Sequence, residues 1–103
     1  MATITGKANV AENADWRVYI VECADASLYT GIARNLSERV EKHNAGSGAK
    51  YTRSRLPVRL VYSEAWPDRS GALQREASIK RLPRTAKLKL IATIAKGEPA
   101  PLS

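Results

Sequence analysis

The order of apolar and polar positions divides the chain into short strand-like blocks and longer helical ones. Between Trp16 and Cys23, Val18, Tyr19, Ile20 and Val21 form a run of strong strand formers. The polar stretch Ala24-Asp25-Ala26-Ser27 reads as a turn and Leu28 to Ile32 as a second short strand, which predicts an antiparallel hairpin. Helical spacing takes over after Asn35. That side chain can accept from backbone N–H groups of a first turn, and Glu38 stands three residues on, as in a capping box. Gly46 and Gly48 stop the helix, so it should span Leu36 to Asn44. Leu36 and Val40 share one stripe of it; Arg39 and His43, four residues apart, share another.

Gly46 to Pro57 reads as a loop. Val58 to Glu64 reads as a third strand, with Val58, Leu60 and Tyr62 on one face. Asp68 or Ser70 can cap a second helix from about Gly71 to Leu82, and Pro83 suits the first turn of a third. That last helix should bury Leu88, Ile91, Ala92 and Ala95. The order β-β-α-β-α-α predicts an α+β domain over residues 16–96, a small antiparallel sheet covered by helices. Residues 1–15 form a polar leader of mixed character, and residues 97–103 a Pro-rich tail.

Charge sharpens this picture. Seventeen Lys and Arg against ten Asp and Glu give a net charge of +7 in 103 residues, which favours a polyanionic partner. No segment joins a strongly apolar face to a purely basic one, and no run of about 18 apolar residues occurs, so a membrane is not the expected partner. With one cysteine (Cys23) and one histidine, no internal disulfide or zinc cluster can form. A reducing compartment and a cytoplasmic location follow as expectations.

Several residues carry candidate chemistry, each with a plainer reading beside it. Tyr19 and Tyr29 lie on the paired strands; alone they are ordinary strand aromatics. Gly31 weakens its strand and marks a close approach to the backbone. Arg39 can grip phosphate with its planar fork and His43 can exchange a proton near neutral pH, or both can sit on a solvated helix face. Glu76 shares a stripe with Ala72, Leu73 and Ile79, where a carboxylate needs a partner or a metal; the alternative, equally open, is a surface pair with Arg75 or Lys80. Tyr51 among Lys50, Arg53 and Arg55 suits nucleic acid, the ring for bases and the cations for phosphates.

Taken together, Tyr19, Tyr29-Thr30-Gly31, Arg39, His43, Tyr51 and Glu76, in this order and on these elements, resemble the GIY-YIG nuclease domain. The resemblance spans roughly Trp16 to Ile94. It is strongest to small stand-alone bacterial members with a Tyr-Thr-Gly strand and a loop like Gly48-Ala49-Lys50-Tyr51-Thr52, and extends to the nuclease module of the excision-repair incision protein. It implies a three-stranded antiparallel sheet flanked by helices and a DNA endonuclease that uses one Mg²⁺ or Mn²⁺. Its substrate would be DNA, in repair or recombination, with single strands, flaps, branched junctions and nicked duplexes all open. By the same resemblance Tyr19 is the general base or its partner, Tyr29 orients water or substrate, Arg39 steadies the phosphate, His43 assists proton transfer and Glu76 ligates the metal. Gly31, Arg34, Lys50, Tyr51, Arg53, Arg55 and Lys80 are the expected nucleic-acid contacts.

The motifs depart from the family pattern in reading Arg-Val-Tyr for Gly-Ile-Tyr and Tyr-Thr-Gly for Tyr-Ile-Gly. Where some relatives carry a lysine after the second motif, Ile32 and Ala33 stand, with Arg34 close by. The usual separate DNA-binding domain is missing, which suggests a protein partner that supplies targeting. The alternative function is a nucleic-acid-binding module with little or no catalysis.

Overall fold

The computed structural model describes residues 15–95; the leader, apart from Asp15, and the tail lie outside them. The described elements are β1 (Trp16–Glu22), β2 (Leu28–Ala33), α1 (Leu36–Asn44), α2 (Lys50–Arg53), β3 (Arg59–Trp66), α3 (Arg69–Lys80) and α4 (Arg84–Ala95). The strands form one antiparallel sheet in the order β2-β1-β3. The predicted α+β architecture and order are present, with one addition. The basic stretch expected as a loop contains the helical turn α2, started by backbone bonds from Thr52 and Arg53 to the Ala49 carbonyl.

Local chemistry explains most boundaries. The β1–β2 turn closes where Asp25 Oδ1 accepts from the Ser27 N–H and hydroxyl, and Ala26 takes a positive φ of 69°. Asn35 caps α1 by accepting from the Glu38 N–H at 3.1 Å, and Asp68 caps α3 by accepting from the Gly71 N–H at 2.7 Å. Pro83 stands one residue ahead of α4, and its carbonyl accepts from Ala86 and Lys87.

The central strand has both faces covered, which is why Val18 to Val21 is apolar without alternation. On one face Val18 and Ile20 pack with Tyr62, Ala72, Ile79 and Leu90, beneath α3 and α4. On the other, Tyr19, Val21 and Cys23 pack with Ala33 and Val58, beneath Leu36 and Val40 of α1.

Two packing expectations are corrected. Val58, Leu60 and Tyr62 do not share a face. Ile20 pairs with Tyr62 but Val21 with Leu60, so Val61 is an extra residue that flips the alternation. Tyr62 and Val58 therefore join opposite core clusters, and Leu60 is 41% exposed. In α4, Leu88 is 42% exposed and Leu90 is the buried residue. Apolar residues stand nearly all round this helix, so periodicity does not choose its inner stripe. Packing of Leu90 and Ile91 into the cluster around Tyr62 does.

Candidate active site

The site forms where α1 and α2 close over the β1–β2 hairpin. Tyr19 pairs with Gly31 across the ladder, so its ring rises beside a residue without a side chain. A Cβ at Gly31 would lie 2.7 Å from the Tyr19 hydroxyl oxygen and 2.9 Å from the ring. The close approach that the glycine permits is thus made by Tyr19 itself.

The Tyr19 hydroxyl is the hub. It lies 2.9 Å from His43 Nε2 and accepts from Arg39 Nε at 3.3 Å. One turn apart on α1, Arg39 and His43 therefore reach the same oxygen, as their spacing allows. On the far side of the imidazole, Nδ1 lies 2.8 Å from Thr52 Oγ1, and Thr52 donates to the Ala49 carbonyl at 2.9 Å. Tyr19, His43 and Thr52 are all closed to solvent. Burial pushes the Tyr19 phenol up, against the hydrogen bond and charge of Arg39, which pull it down; Tyr29 and Glu76 push it further up. Burial, helped by the charge of Arg39, holds His43 below the ordinary imidazole range. Both groups therefore rest neutral near pH 7.

Tyr29, half-buried, stands edge-on to His43 with ring centres 5.6 Å apart, and 6.5 Å from Tyr19. Its ring stacks on Tyr51 at 5.9 Å and an interplanar angle of 22°. The Arg55 guanidinium lies 3.9 Å over the Tyr51 ring and also pairs with Asp25 and the Tyr51 carbonyl. Tyr51 and Arg55 are thus already engaged from within the protein, whereas Lys50 and Arg53 are exposed.

Glu76 comes to the same region from α3. Its side chain is 17% exposed and pairs with Lys80 at 3.3 Å, one of the two partners expected if it were a surface glutamate. Lys80 Nζ in turn lies 5.8 Å from the centre of the Tyr29 ring. Among the described residues no group of three or more His, Cys, Asp or Glu gathers to hold a metal. A metal here would have one carboxylate. That suits a hard ion such as Mg²⁺, which keeps several waters and borrows phosphate oxygens. Arg34 stands apart, 3.9 Å from Asp15 and over the Trp16 ring at 5.5 Å. It also borders a cleft of about 250 Å³ with Arg39, Lys42 and Glu38.

Two groups of residues escaped the sequence reading. Thr52 was visible only as part of Lys50-Tyr51-Thr52; the available signal was that a lone buried histidine needs a partner for each ring nitrogen. On the opposite sheet face, Glu64 is a buried carboxylate that accepts from Tyr62 Oη at 2.5 Å, Trp66 Nε1 at 2.6 Å and Arg75 Nε at 2.8 Å. Its signal was Tyr62, Glu64 and Trp66 at every second position of a strand.

Residues 15–89 match the GIY-YIG catalytic domain. A UPF0213 protein of Staphylococcus aureus is 58% identical over 74 residues, which cover 72% of this chain and 90% of that one. The solution NMR structure of a UPF0213 protein of Bacillus halodurans is 44% identical, with a TM-score of 0.49 over 75% of this chain and 82% of that one. The solution NMR structure of an E. faecalis protein is 32% identical, with a TM-score of 0.55 over 84% and 93%.

Proposed function

The chain belongs to the GIY-YIG family, and from that premise we propose that it is a divalent-metal-dependent DNA endonuclease. The observation that carries this reading is the contact of Arg39 and His43 with one buried tyrosine oxygen. Arg39 uses Nε on Tyr19 and also lies beside the Tyr29 hydroxyl, and its remaining guanidinium N–H groups can take a phosphodiester, so a bound phosphate arrives beside the phenol. As water attacks phosphorus, its proton passes to the Tyr19 oxygen and the Tyr19 proton passes to His43 Nε2. Arg39 meets the negative charge that builds on the phosphate. Tyr29, with its partly open ring, orients water or substrate at the mouth of the site. Glu76 is the residue that would hold one Mg²⁺ or Mn²⁺, an ion that supplies Lewis-acid charge at phosphate oxygens when bound. Lys80 must then leave Glu76 for the DNA backbone, joined by Arg34, Lys50 and Arg53. Single-stranded or branched DNA met in repair or recombination is the proposed substrate, with a partner protein supplying targeting.

The deciding experiment incubates labelled single-stranded, duplex and branched DNA with the protein in Mg²⁺, Mn²⁺ or EDTA, beside Glu76→Ala. Metal-dependent cleavage should appear in the parent and fall by about 100-fold or more in the variant, the scale of a lost charge-stabilising group. Full activity in Glu76→Ala would overturn the metal assignment. A second reading is favoured by the Glu76–Lys80 pair, which occupies the carboxylate: a binding module without catalysis. It requires salt-sensitive binding and no cleavage of any substrate.

A further inference from the structure

We propose that Thr52 is a positioning residue that locks His43 in the Nδ1–H tautomer, so that Nε2 is the one proton acceptor of the site. The inference rests on the nuclease reading for its consequence but not for its geometry. A threonine hydroxyl has a single proton, and that of Thr52 goes to the Ala49 carbonyl. Oγ1 must then accept from His43, 2.8 Å away, so Nδ1 carries the hydrogen. The other end of the chain reaches the same answer independently. Tyr19 has no access to solvent, its oxygen already accepts from Arg39, and a guanidinium cannot accept in return. A buried phenol proton left without an acceptor costs about 1–3 kcal/mol. His43 Nε2, at 2.9 Å, is the acceptor within reach, and it can accept only if the ring proton sits on Nδ1. Every proton in the sequence Arg39 to Tyr19 to His43 to Thr52 to Ala49 thus has one direction.

Gly48 protects the arrangement. A Cβ there would fall 2.4 Å from His43 Nδ1 and 2.8 Å from its Cα, and would push the ring off Thr52. The step served is balanced. The Tyr19 O–H bond breaks as an N–H bond forms at Nε2, leaving an imidazolium held by Thr52 and a phenolate held by Arg39. When the bound phosphate brings the attacking water against Tyr19, which the free protein keeps closed to solvent, the phenolate takes one proton from it. In the opposite tautomer Nε2 would be a donor, and the phenol could not discharge its proton.

His43 is the sole histidine of the chain, so its two ring nitrogens can be read without ambiguity by long-range ¹H–¹⁵N NMR on tag-free protein at neutral pH. The parent should show Nδ1 protonated and Nε2 bare. In Tyr19→Phe, where no phenol holds Nε2 as an acceptor, adding Thr52→Val, which keeps the shape but removes the other partner, should shift the ring toward Nε2–H, and adding Thr52→Ser instead should keep the parent pattern. With Tyr19 in place, cleavage should fall at least about tenfold in Thr52→Val, whose imidazolium loses its Nδ1 partner, and recover in Thr52→Ser, within the range of general acid–base contributions. Tyr19→Phe alone should retain the Nδ1–H tautomer, because Thr52 still accepts from Nδ1. A parent ring protonated on Nε2, or a ring unchanged when Thr52→Val is added to Tyr19→Phe, would overturn the proposal. So would loss of the tautomer in Tyr19→Phe, which stands in should Thr52→Val fail to fold. The spectra decide the matter even if no DNA is cut, which separates this inference from the nuclease assignment.

Discussion

The two faces of the sheet each bury a tyrosine and a titratable partner beside a part-buried arginine, and they use them in opposite ways. Beneath α3, the Glu64 carboxylate, 1% exposed, is met by Tyr62, Trp66 and Arg75. Charge is balanced there. Burial and the neighbouring carboxylate push the Tyr62 phenol up out of any working range. Beneath α1, Tyr19 meets a neutral imidazole in place of a carboxylate, and Arg39 has no buried anion to neutralise it. Its charge pulls the Tyr19 phenol down while burial pushes it up. A tyrosine backed by a carboxylate is a fixed strut; one placed between a cation and a titratable base can lose its proton. The difference also places the anion. One cluster contains its own; among the described residues no carboxylate pairs with Arg39 in the other, which leaves it open to the proposed phosphodiester.

This contrast can be broken by substitution. Glu64→Leu should remove about 3–5 kcal/mol of stability, because it strands a buried arginine. Urea unfolding would read the loss, and a change below 1 kcal/mol would end the strut interpretation. Arg39→Ala should do the reverse, slowing cleavage about 100- to 1,000-fold with the fold intact, the scale of a lost transition-state donor. Equal effects on unfolding and cleavage would erase the distinction between the faces.

The pH dependence of stability should separate them further. His43 sits below its unfolded value near 6.5, so the unfolded chain binds the extra proton. Its contribution is complete above about pH 6.5 and is lost as pH falls from there through the folded value. Tyr19 sits above its ordinary value, so its contribution is lost as pH rises past about 10. Urea midpoints from pH 5 to 8 should therefore climb in the parent and flatten in His43→Gln; a parallel climb in both would acquit the histidine.

Smaller effects test the packing. Thr30 has a buried hydroxyl with no hydrogen-bond partner. Thr30→Val keeps its shape and should stabilise by about 1 kcal/mol, raising the melting temperature; a lowered one would mean that the hydroxyl has a partner in solution. Leu88→Ala, on the outer side of α4, should change stability by no more than about 0.5 kcal/mol, whereas Leu90→Ala should cost about 2–5. Reversed values would restore the stripe inferred from spacing.

The amino-acid sequence by itself determined what depends on near neighbours. The hairpin, α1 with its Asn35 cap, and the stripe shared by Arg39 and His43 all follow from spacings of four residues or fewer; that both reach the Tyr19 oxygen, 20 and 24 residues away, does not. The family was legible for the same reason, since its motif residues stand in a fixed order on those elements. Tertiary structure alone decided which nitrogen of His43 faces Tyr19, because that depends on a hydroxyl nine residues away held over Ala49. It decided that Tyr51 lies on Tyr29 beneath Arg55. It also turned Leu88 outward and Leu90 inward, and inserted Val61 to reverse the last strand. Periodicity states that a face is apolar; only the surface packed against it determines which residue enters, and which buried polar atom finds a partner.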